Sequence, residues 1–151
     1  MANAFVKINL HIIFHIKSTS ITMRSNDLPR IFEYIGGIIR GLDGLPMAIG
    51  GTLDHIHILS SLPKNQCIPD FVRTIKSKSS KWIKSLDKYY AKFAWQDGYG
   101  AFSVSPSILD TTKKYIYNQA EHHRTHTFEE EYKAFLSAYG IQYDERYLFS
   151  D

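Results

Sequence analysis

Two histidines one residue apart, in the run Asp54-His55-Ile56-His57-Ile58-Leu59, are the side chains best suited by type and spacing to do chemistry. In an extended strand alternate side chains share a face, so His55 and His57 stand about 6–7 Å apart along the strand on one side. Two imidazoles so placed can hold one metal ion. Ile56, Ile58 and Leu59 mark the strand as mostly buried, where polar rings need partners or a ligand. For the pair alone, hydrogen bonds from both rings to their neighbours are the plainer alternative. Far downstream, Tyr115 and Gln119 lie four residues apart in a helical pattern and project from one helix face. Two imidazoles, an amide oxygen and a phenol form a set for metal-assisted phosphoryl transfer onto tyrosine. Neutral ligands leave the charge of a divalent cation uncancelled, and three of them leave positions open for phosphate oxygens. Mixed nitrogen and oxygen ligation suits manganese and tolerates magnesium. A phenol has an ordinary pKa near 10, so it must lose its proton as it attacks or be helped by a positive field. Tyr117 and Glu121 repeat the four-residue spacing, so spacing alone leaves the choice of tyrosine open. His122 and His123 are further candidate ligands, although Arg124 and His126 beside them fit a solvated or nucleic-acid-facing helix end.

The elements that must position these groups follow from hydrophobic periodicity. Val6 to Lys17 alternates and is rich in β-branched residues, which predicts a first strand. Asp27 to Leu42 predicts a helix with Pro29 in its first turn and a stripe of Ile31, Ile35, Ile38, Ile39 and Leu42. Pro46 to Gly50 and His55 to Leu62 read as two strands joined by a glycine-containing turn. The next helix is basic. Val72, Ile75, Ser79, Trp82 and Leu86 form its core-facing stripe, which leaves its lysines pointing outwards. Ala101 to Ser105 reads as a fourth strand. Ser107 and Asp110 have capping-box spacing at the start of the tyrosine helix, and Thr127 and Glu130 repeat it at the start of a last helix ending near Gly140. The order defines an α+β class, ferredoxin-like βαββαβ fold: an antiparallel sheet with helices on one face, plus C-terminal helices.

At 151 residues, with no repeat or linker, the chain reads as one domain over 1–151. Cys67 is the only cysteine, which excludes an internal disulfide and a cysteine-based zinc site. The absence of a long apolar run and of a signal-peptide start points to a cytoplasmic protein without a membrane span. The net charge of +3 is mild. Its distribution is more telling, because Arg73, Lys76, Lys78 and Lys81 cluster on the basic helix and make it the candidate contact for a polyanion. Abundant aromatics, with 10 Tyr and 9 Phe, can stack on bases, so a non-catalytic nucleic-acid-binding module is the alternative from another class. A two-histidine phosphoesterase needs two His-x-Ser/Thr motifs, and only His123-Arg124-Thr125 has that form.

Taken in order, the motifs resemble the small single-tyrosine HUH transposases of the insertion-sequence-200/605 type, named for histidine, hydrophobic, histidine. The resemblance is carried by Leu10-His11-Ile12-Ile13-Phe14, by Gly51-Thr52-Leu53-Asp54-His55-Ile56-His57, by Ile75-Lys76-Ser77-Lys78-Ser79-Ser80-Lys81-Trp82, by Trp95-Gln96-Asp97-Gly98-Tyr99 and by Tyr115-Ile116-Tyr117-Asn118-Gln119. It implies Tyr115 as nucleophile, with His55, His57 and Gln119 holding magnesium or manganese, and so favours Tyr115 over Tyr117. The implied substrate is single-stranded DNA bearing hairpins, cleaved and rejoined through a 5′-phosphotyrosine. The implied assembly is a homodimer whose sites pair the histidine strand of one subunit with the tyrosine helix of the other. One departure stands out: Lys17 is followed by Ser18-Thr19-Ser20 where the family often has a close arginine. Relatives that have lost mobility and process palindromes keep the same chemistry, so transposition itself does not follow from the motif.

Overall fold

A computed structural model describes residues 3–149. Four strands, β1 (Asn9–His15), β2 (Pro46–Gly51), β3 (His55–Ser61) and β4 (Gly100–Ser103), form one antiparallel sheet in the order β2-β3-β1-β4. The register pairs Ile13 with His57 and His15 with His55, and Gly50 lies opposite His57 on the other side. Alternation then sorts the sheet into two faces. Leu10, Ile12, Phe14, Ile56 and Ile58 point to one side, where α1 (Leu28–Gly41) and α2 (Ile68–Leu86) cover them in the main core. His11, Ile13, His55, His57 and Leu59 therefore share the opposite face. There the C-terminal helices α3 (Leu109–Tyr117), α4 (Gln119–His122) and α5 (Phe128–Ala138) pack. The expected ferredoxin-like order holds; β1 and β3 end one to three residues inside their expected bounds, β2 runs one residue further to Gly51, and β4 lies earlier, from Gly100 to Ser103.

Three local expectations need correction. The α2 stripe is Phe71, Val72, Ile75, Ser79 and Ile83, whereas Trp82 is only partly buried and stacks on Tyr34 with ring centroids 4.4 Å apart. Ser79 belongs in that core because its hydroxyl accepts the Trp95 indole N–H at 3.0 Å. Lys76 does not point outwards. Its ammonium donates to the carbonyls of Gln96 (2.9 Å), Asp97 (3.3 Å) and Gly98, and burial lowers its pKa to about 8 against the opposing charge of Asp97. Finally, Ser107 does not cap α3; its hydroxyl meets that of Ser105 at 2.7 Å, and the helix starts from a short 3-10 turn. The second box forms as expected: Thr127 Oγ1 accepts from the Glu130 N–H and the Glu130 side chain accepts from the Thr127 N–H.

Candidate active site and metal centre

The second face of the sheet holds an unusual concentration of polar groups. His11, His55, His57, Gln119 and Glu131 are all at most 5 % exposed. Each is brought there by a different piece of local structure. β3 supplies His55 and His57 on one face. α3 seats against β2 because Ile116 packs with Ala48, Leu59 and Val104, and because Gly50 leaves room for the Ile116 carbonyl. Burying Ile116 completely contributes about 1.5–3 kcal/mol to that seat. The helix breaks at Asn118, and the side chain of Gln119 bridges the break: its Nε2 donates to the Tyr115 carbonyl at 3.2 Å. α5 is held by Tyr132 and Leu136 against Ile13 and Phe102.

The resulting geometry is compact. Gln119 Oε1 lies 3.2 Å from His55 Nε2, and Glu131 Oε1 lies 2.9 Å from His57 Nε2 and 3.8 Å from His55 Nε2. His123 Nε2 stands 3.4 Å from the same Glu131 oxygen but makes no hydrogen bond. The Tyr115 hydroxyl donates to Glu131 Oε2, and His122 Nε2 lies 3.4 Å from that hydroxyl and 3.1 Å from Glu131 Oε2. The outer nitrogens are fixed too. His55 Nδ1 faces Asp54 Oδ1 at 2.8 Å and Thr52 Oγ1 at 2.9 Å, and His57 Nδ1 faces His11 Nε2 at 2.8 Å. Partners on Nδ1 orient each ring so that Nε2 points into the site, the arrangement common behind metal-ligating histidines.

Electrostatics follow from burial. Desolvation pushes His57 down to about 4 and His11 to about 3, in each case against a smaller upward pull from Glu131. Both rings are therefore neutral near pH 7, as His57 must be to serve as a ligand. Burial pushes Glu131 up, but the His57 hydrogen bond and charge and the Tyr115 hydrogen bond outweigh it and hold the carboxyl at about 2. The Tyr115 phenol is raised well above its ordinary value by burial and by Glu131. Asp54 is lowered, chiefly by its bond with His55.

His55, His57, His123 and Glu131 place one donor atom each within 4.8 Å of one another. Nitrogens and oxygens held about 2.1 Å from one ion lie about 3–4 Å apart, so the donor set fits a divalent metal. The structure thus brings together His55, His57, Gln119 and Tyr115 from the sequence reading. It leaves Tyr117 outside, 65 % exposed with its hydroxyl 3.4 Å from the Met47 carbonyl. His122 and His123 do not form a solvated helix end; both face Glu131. Arg73, Lys78 and Lys81 are exposed on α2, on the far side of the sheet from the histidines, and Arg73 is paired with Asp70 at 2.7 Å. Glu131 and His11 were missed in the sequence. The available signal for Glu131 was its place on the apolar stripe of Phe128, Tyr132 and Phe135; for His11 it was a polar residue on the inward alternation of β1. Within the one chain described, the histidine strand and the tyrosine helix meet at this site.

An antiparallel ferredoxin-like sheet with a buried His-x-His strand facing a tyrosine helix is the frame of a known class of DNA-processing proteins. Residues 4–119 match the family model described as "Transposase IS200 like", and the chain belongs to that family. Over 84 residues it is 31 % identical to the ISDra2 transposase TnpA of Deinococcus radiodurans, a match covering 52 % of this chain and 59 % of that protein. The matched region therefore spans a little over half of the curated relative's length. Two solved structures share the fold. A candidate transposase from Deinococcus radiodurans R1 superposes with a TM-score of 0.60 at 21 % identity, covering 79 % of this chain and 96 % of its own. A REP-associated tyrosine transposase bound to a REP hairpin superposes with a TM-score of 0.59 at 15 % identity, covering 82 % and 73 %. No helix among the described residues is long and apolar enough to cross a membrane.

Proposed function

We propose that this protein cleaves and rejoins single-stranded DNA at hairpin-bearing ends, with Tyr115 as the nucleophile and His55, His57 and Gln119 holding a divalent ion, magnesium or manganese. The observation that carries the reading is the convergence of the Tyr115 hydroxyl and the histidine Nε2 atoms on one buried carboxylate, while Tyr117 points away. Family membership and a structural neighbour captured on a hairpin support the substrate class. When bound, the ion would supply Lewis-acid stabilisation of phosphate charge and help the phenol ionise.

The protein's own contribution is positional. Glu131 Oε2 accepts the Tyr115 O–H and so fixes where the phenol points. The role proposed for Glu131 is therefore to aim the hydroxyl. The phenol proton passes to solvent water as the Tyr115 oxygen–phosphorus bond forms. The phosphorus–O3′ bond breaks, and water returns a proton to the departing oxygen, which becomes a 3′-hydroxyl, so that protons balance overall. The 5′-phosphotyrosine keeps the diester energy, so attack by another 3′-hydroxyl restores the phenol and joins the strands. Exposed Lys78 and Lys81, with Arg73, form the proposed DNA-contacting surface of α2. A homodimer in the cytoplasm completes the reading, and because one chain here contains all the named groups, sharing sites would require an exchange of α3.

Incubation with labelled hairpin DNA and manganese, followed by a denaturing gel, tests the proposal. A covalent adduct is expected for the wild type and for Tyr117→Phe, and none for Tyr115→Phe with an unchanged far-ultraviolet spectrum. An undiminished Tyr115→Phe adduct would refute the nucleophile. Hairpin binding without any adduct in the wild type would favour a non-catalytic binding module.

A further inference from the structure

Two groups at the site have no role in the ligand set of two histidines and an amide: His123 and Glu131. They lie on the C-terminal segment beyond the family-matched residues 4–119. Both nevertheless face the cluster. Glu131 Oε1 faces three imidazole nitrogens at 2.9, 3.4 and 3.8 Å, and His123 Nε2 has no hydrogen-bond partner although it points inward. Separations of this size are those of atoms sharing one ion. A buried carboxylate among neutral rings also supplies the negative charge that the two-histidine and amide set lacks.

We propose that His123 and Glu131 join His55, His57 and Gln119 as ligands of the same ion, giving a site of three imidazoles, one carboxylate and one amide oxygen that takes a first-row transition ion such as Mn²⁺ or Zn²⁺ in preference to Mg²⁺. This deepens the function proposed above and rests on its placement of the ion. The preference follows from donor chemistry: imidazole nitrogen suits transition ions, whereas magnesium requires near-octahedral oxygen ligation and gives up water reluctantly. Glu131 then acts with both oxygens. Oε1 serves the ion and Oε2 receives the Tyr115 hydroxyl, so one side chain sets the nucleophile beside the metal. Glu131 is thus also a positioning residue for Tyr115.

The test needs no DNA. The full chain is stripped with EDTA, and Mn²⁺ binding is followed by the loss of the free-ion electron paramagnetic resonance signal, Zn²⁺ binding by calorimetry, and Mg²⁺ by competition against Mn²⁺. The wild type is expected to bind Mn²⁺ more tightly than Mg²⁺. Glu131→Gln and His123→Ala should each weaken Mn²⁺ by roughly tenfold or more. His126→Ala, next to the cluster but outside it, should match the wild type. Circular dichroism checks folding; should Glu131→Gln misfold, His123→Ala, on a more exposed side chain, decides alone. Wild-type Mn²⁺ affinity in a folded variant overturns that residue's assignment, and equal affinity for Mg²⁺ overturns the selectivity. Intact ion binding with no DNA adduct would instead sink the tyrosine chemistry and leave this proposal standing.

Discussion

Gly50→Ala should disable the protein from a position that carries no chemistry. Gly50 lies opposite His57 in the ladder, beneath α3. A Cβ added there collides with the Ile116 carbonyl oxygen and lies 3.0 Å from Ile116 Cγ2 and 3.2 Å from its carbonyl carbon. The obstacle is helix backbone, which cannot swing aside, so α3 must lift by up to about 1 Å. Tyr115 is the neighbouring residue and moves with it. A misplacement of about 1 Å at a reacting group costs roughly 100-fold in rate. Overpacking of this kind costs about 1–3 kcal/mol, which for a chain of this size lowers the melting temperature by about 2–12 °C. The assay pairs the initial rate of covalent attachment to hairpin DNA with a thermal melt and hydrogen exchange over residues 109–117. Gly37→Ala is the control, since its Cβ meets nothing within 4 Å and alanine favours a helix interior by about 0.5–1 kcal/mol. Wild-type attachment and melting in Gly50→Ala would refute the seat of α3 on β2.

Acid should destabilise the metal-free chain. His11 and His57 have folded values of about 3 and about 4, below the ordinary imidazole value of 6.5, so between these limits the unfolded chain binds more protons. Their contribution is complete above about pH 6.5 and lost as pH falls through 4 and then 3. Glu131, lowered from 4.5 to about 2, adds loss of the same sign at the acid end. The urea midpoint measured in EDTA between about pH 7 and pH 4 should fall, and a flat profile contradicts the burial argument. On α2, Lys78→Ala with Lys81→Ala should weaken single-strand binding and reduce its salt slope by about 0.7 for each phosphate no longer neutralised, with unchanged melting. An unaltered slope removes that surface from the interface. Lys76→Ala should behave differently, speeding hydrogen exchange over residues 96–98, because its ammonium is committed to carbonyls there.

The elements were legible in the sequence because each rests on a local rule. Alternation in β1 and β3, the isoleucine stripe of α1 and the Thr127–Glu130 box need only near neighbours to be satisfied. The histidine pair was legible for the same reason. Glu131 was not: it stands among Glu129, Glu130 and Glu131, which together read as the acidic first turn of a helix, and its partner His57 is 74 residues away. Lys76 was hidden similarly, since its helical phase suggests solvent while the loop from Gln96 to Gly98 folds over it. Ser107 failed for the opposite reason: a capping pattern existed, but Ser105 competed for the hydroxyl. Local rules located the strands and the main helices but not the break at Asn118 that separates α4, and long-range pairing decided which charged residues turn inward.

The pairing of β3 with both neighbours has an evolutionary consequence. A slip of one residue would exchange the strand's two faces, driving His55 and His57 into the apolar core and setting Ile56 and Ile58 against Gln119 and Glu131. Misalignment would thus ruin solubility and chemistry in a single event, and no partly mispaired form could persist as a folded but inert protein. Selection for foldability in this strand is at the same time selection for its imidazoles' address.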